Sequence, residues 1–351
     1  MRILHVVESH TIHTSRVVDH QLAQGHQVRV ATAHDFVGMG PVSLFEIRPW
    51  ATRLPFSHHW AGILQFASMA RGFKPDVIHG HYLSTAALFL ASAPGVPCVA
   101  SAVGSDVLVD PRAAHARLLM RLVSLWVDRF IAVAPHVRDR MIQLGIDVAK
   151  IETLPWGVDA EMFHPAETMP RGPSVISTRS FEAVYDLDTL LRAAEIVGRA
   201  GTRLRLALYG DGSLRAALVA RARELGIVEH VRFEGRVAPR VLAGALRGAS
   251  VYVSTALSDG ASTSLLEAMA TGLVPVVADI PANRAWISHR ENGILFRPGD
   301  AGALASALEQ ALSNPELRAR CYEVNPALVA SRATWAACME RLEAIYREVT
   351  S

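Results

Sequence analysis

The sequence predicts an α/β protein with two doubly wound parallel-sheet domains, and three observations lead there. The chain has 351 residues, roughly twice the commonest domain length. Short apolar runs alternate with helix-length segments, the rhythm of a parallel sheet flanked by helices. That rhythm stops in a Pro- and Gly-rich stretch between Pro155 and Pro173 and then restarts.

In order, the first half offers strands at residues 3–7, 27–33, 76–79, 96–102 and 130–133, with a helix over 14–24. The second half offers strands at 174–177, 204–209, 230–233, 251–254 and 274–278. Trp335, Met339, Leu342 and Tyr346 recur at helical spacing, so the end of the chain reads as one amphipathic helix. The expected domains are therefore 1–160 and 161–332. The helix of 333–351 is expected to pack back toward the first domain. Doubly wound sheets bind ligands beyond the C-terminal ends of their strands, so a cleft shared by the two domains is the expected site. A dehydrogenase would share that architecture, which does not by itself fix a function.

Half of the residues are hydrophobic and 19% are charged, which supports a sizeable core. Basic and acidic residues nearly balance, 35 against 33, and no basic stripe points to a nucleic-acid partner. Cys98, Cys321 and Cys338 lie far apart with no metal-ligating or CxxC spacing, a sparse set that fits a reducing compartment. Residues 1–4 run straight into a strand with no signal-peptide layout. The longest apolar stretch, near 82–104, is broken by Pro94, Gly95 and Pro97. These features predict a cytoplasmic protein. Residues 111–130 carry Arg112, Arg117, Arg121 and Arg129 among Leu, Val and Trp126. Peripheral contact with the inner membrane face is one reading of them, and an ordinary domain helix with snorkelling Arg is the other.

The segment richest in chemistry is 258–272, Ser-Asp-Gly-Ala-Ser-Thr-Ser-Leu-Leu-Glu-Ala-Met-Ala-Thr-Gly. It follows a predicted strand and opens a helix that Ser262, Thr263 or Ser264 can cap. Free amides and the positive end of the helix dipole there suit a diphosphate. Asp259 and Glu267 bracket this anion site.

This segment resembles the signature of the retaining GT-B glycosyltransferases of family 4 (glycosyltransferase group 1), an acidic residue and Glu separated by seven residues, in a branch with Asp259 in the first place. The residues around Pro155-Trp156-Gly157-Val158-Asp159, Gly210-Asp211-Gly212, Phe233-Glu234-Gly235-Arg236-Val237, Asn292-Gly293 and Pro298-Gly299-Asp300 are similar to the family pattern as well, so the resemblance spans most of the chain. It implies two Rossmann-like domains and transfer of a sugar, with retention, from a nucleoside-diphosphate sugar (UDP-linked as the commonest case) to an acceptor hydroxyl. The acceptor would be a glycan, glycolipid or small molecule. Asp259 would contact the donor sugar and Glu267 would grip the ribose. The backbone at Gly260, Ser262, Thr263, Ser264 and Leu265 would hold the diphosphate, and that at Arg236 and Val237 would meet the base.

Arg179 ends the first strand of the second half, where its fork can hold phosphate oxygens. A surface pair with Glu182 is the plainer reading of it. The commoner family pattern adds a Lys a few residues on, where this chain has Tyr185-Asp186. On the acceptor side the candidates are His13, Thr14 and Arg16 after the first strand, and His81 at the end of another. Asp106 is either a contact or a cap. The family histidine before Gly104 is replaced by Val103, so its role does not carry over. Asp259, Arg179 and His81 form the expected catalytic set. No cofactor is expected, and no Asp-x-Asp metal site is visible. A nucleotide-sugar epimerase and a non-catalytic sugar-nucleotide binder remain open. A dehydrogenase is disfavoured because residues 8–15 lack glycine.

Overall fold

The computed structural model describes residues 1–7, 12–32, 43–46, 57–83, 89–90, 92–108, 120–170, 172–202 and 204–351. The chain divides into two compact units, one of Met1–Trp156 with Cys338–Ser351 and one of Gly157–Ala337.

In the first unit the strands are β1 (Arg2–Val7), β2 (Gln27–Thr32), β3 (Ser43–Glu46), β4 (Val77–His81), β5 (Cys98–Ala102), β6 (Arg129–Ala132) and β7 (Ile151–Thr153). They form one sheet in the order β3-β2-β1-β4-β5-β6-β7, with every pair parallel. Every residue of β4 and β5 is buried, as expected for parallel strands covered on both faces. The order reverses between β1 and β4, which makes their C-terminal ends the topological switch point. The last helix, Trp335–Thr350, buries Cys338, Met339, Leu342, Ile345 and Tyr346. Within this unit its Arg341 grips the Glu152 carboxylate at 2.5 and 2.6 Å.

The second unit repeats the plan with β8 (Ser174–Ser177), β9 (Arg205–Tyr209), β10 (Val231–Gly235), β11 (Val251–Ser254), β12 (Val274–Ala278) and β13 (Ile294–Phe296). The order is β10-β9-β8-β11-β12-β13, again wholly parallel, with the switch point between β8 and β11. Alternate residues feed two cores. Val175, Val251 and Val253 join one with Leu190, Leu191 and Leu304. Ile176 and Tyr252 join the other with Leu265, Leu266 and Met269. Helix Leu187–Arg199 shows why its sequence is helical, burying Leu187, Leu190, Leu191, Ala194 and Val197 on one stripe.

The residues at which the chain enters and leaves this unit lie side by side. Val158 N–H donates to Ala333 O at 2.8 Å, and Trp335 N–H donates to Val158 O at 2.7 Å. Gly157 has φ +77, and a Cβ there would stand 2.8 Å from Trp335 Cα. Only glycine fits so close a pairing.

Candidate functional site

In the second unit, Arg179 lies just past β8 and is 7% exposed. Its Nη1 donates to Ser262 Oγ at 3.0 Å and to Ser264 Oγ at 2.8 Å. Its Nη2 donates to Asp259 Oδ2 at 2.6 Å. The Tyr185 ring covers the guanidinium, with 4.1 Å from Cζ to the ring centroid. Burial works against the charge of Arg179, but Asp259, Tyr252 and Tyr185 outweigh it and hold the group above its ordinary pKa. The reading of Arg179 as a surface partner of Glu182 is therefore corrected. Glu182 instead accepts from Ser213 N–H at 2.9 Å and from its hydroxyl at 2.5 Å.

The loop after β11 reaches this arginine because it is tied to the segment after β8. Thr255 Oγ1 donates to Tyr185 O at 2.6 Å, and Leu257 N–H donates to Val184 O at 2.9 Å. Ser262 is the cap of helix Thr263–Ala270, accepting from Leu265 N–H at 3.3 Å. Glu267 sits half-buried in the same helix. Gly210 and Gly212 come from the end of β9 and let that loop lie on the Arg179 segment. A Cβ at Gly210 would be 2.3 Å from Arg179 O, and one at Gly212 would be 2.6 Å from Phe181 O. Gly210 and Gly212, read from sequence as part of the family pattern, are thus the floor beneath Arg179.

Three consecutive groups at this tip, Ser177 Oγ, Thr178 Oγ1 and Arg179 Nε, are sealed from solvent without a hydrogen-bond partner among the described residues. A buried polar group left so costs about 1–3 kcal/mol. Three in succession at a switch point, with Arg179 bonded to the Ser262 cap of a helix, mark a place suited to a polar, anionic ligand. Ser177 and Thr178 carried no motif and were missed from sequence. Arg236 and Val237 follow the edge strand β10, whose end is tied to the end of β9 by Gly210 N–H to Gly235 O at 2.9 Å and to the residues after Arg179 by the contact of the Phe233 and Phe181 rings. Two cavities of this unit, about 380 and 370 Å³, are lined by other residues.

The first unit's switch point is built from rings. His81 ends β4 and is 4% exposed. It lies against Trp156, ring centroids 6.1 Å apart, and Trp156 stacks on His13 at 5.4 Å. His13, Thr14 and Arg16 share the start of helix Ile12–Ala23. Trp156, read from sequence only as part of the linker, is what joins His13 to His81. Behind His81, His5 and His79 complete a buried cluster whose shared network includes Gln21 and Tyr346. Burial lowers the pKa of all three histidines, that of His5 to about 4 with Gln21 opposing.

Asp106 is the cap and not an acceptor contact. It has no exposed surface, and its carboxylate accepts from the backbone amides of Leu83, Val103 and Gly104 at 2.8–3.1 Å. Burial raises its pKa while those amides oppose the rise. Of the stretch read for membrane contact, residues 111–119 lie outside the described residues, and Leu122, Leu125 and Trp126 are exposed. Among the described residues, no helix is long and apolar enough to cross a membrane.

The model of the glycosyltransferase family 4 domain matches residues 10–162, and that of the group 1 glycosyl transferases matches 161–326. A D-inositol 3-phosphate glycosyltransferase from Frankia alni is 30% identical over 70% of this chain and 67% of its own length. A phosphatidyl-myo-inositol mannosyltransferase from Mycobacterium leprae is 31% identical over 63% of this chain, and the match spans only 59% of that relative. Sucrose-phosphate synthase from Thermosynechococcus elongatus superposes with a TM-score of 0.80 at 17% identity, over 99% of both chains. HepE from Anabaena, in complex with UDP-glucose, gives 0.80 at 14% identity, over 99% of this chain and 100% of HepE. Those two likenesses establish the GT-B fold. With the two domain models matched in succession and the Frankia relative covered over two thirds of its length, the chain belongs to the group 1, family 4 glycosyltransferases.

Proposed function

We propose that this chain moves a sugar, with retained configuration and without a divalent metal, from a nucleoside-diphosphate sugar to an acceptor hydroxyl. The observation that carries the reading is Arg179, held by Asp259, Ser262 and Ser264, with Nε and the neighbouring Ser177 and Thr178 hydroxyls unfilled. These groups, with the amides of the Ser262-capped helix, would stabilise the departing diphosphate. Asp259 would orient the donor sugar and Glu267 the ribose. The bond from the anomeric carbon to the phosphate oxygen breaks as the acceptor oxygen bonds to that carbon, and the hydroxyl proton leaves with the diphosphate. Arg179 and the positive end of the helix dipole would offset the charge of the leaving diphosphate, so the proposal invokes no metal.

The first unit, with His13 and His81 about Trp156, would receive the acceptor. The two relatives above are named for phosphatidyl-myo-inositol and D-inositol 3-phosphate, so D-inositol 3-phosphate is the first acceptor to try. Uridine is the first base to try, on the sequence resemblance. Thermal unfolding with UDP, GDP, ADP and NAD, each with magnesium or EDTA, tests the donor half. Saturation at a hundred times Kd adds about 2.7 kcal/mol, or roughly 5–11 °C at about 2–4 °C per kcal/mol for a domain of this size. A shift with one nucleoside diphosphate that survives EDTA is expected. A shift with NAD alone would sink the reading, and diphosphate release that never requires an acceptor would sink the transferase half.

A further inference from the structure

The three histidines of the first unit require an account of their protons. His5 on β1 lies directly across from His79 on β4, and His81 stacks on His79 with centroids 4.1 Å apart. A neutral imidazole carries one N–H and one lone pair. Of the six ring nitrogens, five have partners and one, His81 Nδ1, has none among the described residues.

The direction of the chain follows from Gln21. Its amide N–H donates to the Tyr346 oxygen at 3.3 Å, so its carbonyl accepts from His5 Nε2–H at 2.7 Å. His5 Nδ1 is then bare and accepts from His81 Nε2–H at 2.8 Å. Tyr346 passes its own hydrogen to His79 Nδ1 at 2.6 Å, and His79 Nε2–H donates to Ser101 Oγ at 2.7 Å. Every link is consistent with three neutral rings. The last ring is left with its N–H turned inward and a bare lone pair at Nδ1.

The same atoms are close enough together to hold a metal ion, with all ligand nitrogens within 4.8 Å of one another. That use conflicts with the chain, which engages five of the six nitrogens, and the group contains no carboxylate to offset a cation. The ring of His81 is also fixed in place, between His79 and Trp156. The next residue, Tyr82, is held at φ +73, a conformation that a non-glycine residue keeps only under constraint and that concentrates at functional sites.

We propose that His5, Gln21 and Tyr346 are positioning residues that fix the tautomer of His81, so that its Nδ1 lone pair accepts a hydrogen bond from a hydroxyl of the acceptor substrate. The proposal rests on the reading that the first unit receives the acceptor. Nδ1 is sealed in this conformation, so acceptor binding has to open a path to it. A bare lone pair selects a hydroxyl donor, which a buried N–H could not do.

Two-bond proton–nitrogen spectra of the full chain at neutral pH test the tautomer directly. His81 is expected to show a protonated Nε2 and a bare Nδ1. Tyr346→Phe frees the Gln21 amide to turn over, and part of the His81 population should move to the opposite tautomer. With D-inositol 3-phosphate as acceptor, His81→Phe is expected to raise acceptor KM by about tenfold, the size of one neutral hydrogen bond. His81→Asn, whose carbonyl oxygen stands near the place of Nδ1, should recover much of that loss. Nucleoside-diphosphate affinity should stay unchanged in both variants. A protonated Nδ1 in the wild type overturns the proposal. So does stoichiometric zinc in the purified protein that is lost in His79→Ala, and so does an unchanged acceptor KM in His81→Phe. Failure of the wild type to bind any nucleoside diphosphate strikes the functional reading instead, and the spectra then decide the tautomer alone.

Discussion

The two switch points share a topology and differ in nearly everything else. At the ends of β1 and β4 the chain gathers neutral rings, His5, His79, His81 and Trp156, with hydrogen bonds running into the last helix through Tyr346. At the ends of β8 and β11 it gathers a guanidinium, a carboxylate and hydroxyls around Arg179, with three polar atoms unsatisfied. The winding of a parallel sheet decides where a ligand can sit. The side chains placed there decide what sort of ligand it is. A charged, under-satisfied tip suits a phosphate. A neutral, nearly saturated one suits a hydroxyl compound.

Breaking the charged half should have the largest effect. Arg179→Leu leaves Asp259 without its 2.6 Å partner. Removing one member of a buried pair costs about 3–5 kcal/mol. Arg179→Leu combined with Asp259→Leu should recover most of that stability, because two apolar residues replace an ion pair at little cost. Nucleotide affinity should fall in both proteins and recover in neither. Urea unfolding with nucleoside-diphosphate titration reads both quantities. A double variant that still binds nucleotide as the wild type does would show that the contrast between the two tips is not one of charge.

Much of this contrast was legible in the sequence. Arg179 was recognisable as a cation at a strand end, the capping serines as small hydroxyl residues before a helix, and Asp259 through the family resemblance. Three strands, β3, β7 and β13, were not foreseen, and all lie at sheet margins. There a short run such as Ile151-Glu152-Thr153 lacks the continuous apolar stretch of a central strand. The histidine cluster was legible only in part. His81 stood out at a strand end, but His5 reads as an ordinary strand residue. Gln21 and Tyr346 are 16 and 341 positions from it in the chain, with Gln21 linked to Tyr346 across a sequence separation of 325. Networks closed by long-range packing leave no local pattern. Asp106 stays open in the sequence between an acceptor contact and a cap, and its three backbone amide partners, set by packing, are what decide between them.

Acid should sharpen the comparison with a somewhat smaller effect. The folded-state pKa of His5 lies near 4 and those of His79 and His81 are also lowered, against 6.5 in an unfolded chain. The unfolded chain therefore takes up protons first. Stability is fully present above about pH 6.5 and is lost as pH falls from there toward 4. The shift of His5 alone corresponds to roughly 3 kcal/mol. Arg179 is held above its ordinary value and does not titrate in that window. Hydrogen exchange from pH 7 to pH 4.5 should open the amides of β1 and β4 before those of β8 and β11. The reverse order would mean that the histidine cluster is not the acid-sensitive element.

The smallest expected effect falls on Tyr185, and it asks what replaced a second cation beside Arg179. The ring of Tyr185 lies flat enough against the guanidinium to bring its centroid within 4.1 Å of Cζ. A desolvated cation–π contact is worth up to about 2 kcal/mol. The aromatic face does this, so Tyr185→Phe should leave both melting temperature and nucleotide affinity nearly unchanged. Tyr185→Leu removes the face and keeps the bulk, and should cost about 1 kcal/mol of stability. Tyr185→Lys is the decisive variant. It sets a second positive charge against Arg179, so the ligand-free protein should be less stable than the wild type. A nucleoside diphosphate would relieve that repulsion, so the stabilisation it confers should be larger in Tyr185→Lys than in the wild type. Equal stabilisation in the two proteins would mean that the diphosphate does not reach the face of Arg179 that Tyr185 covers, and would move the leaving group to the Nε side.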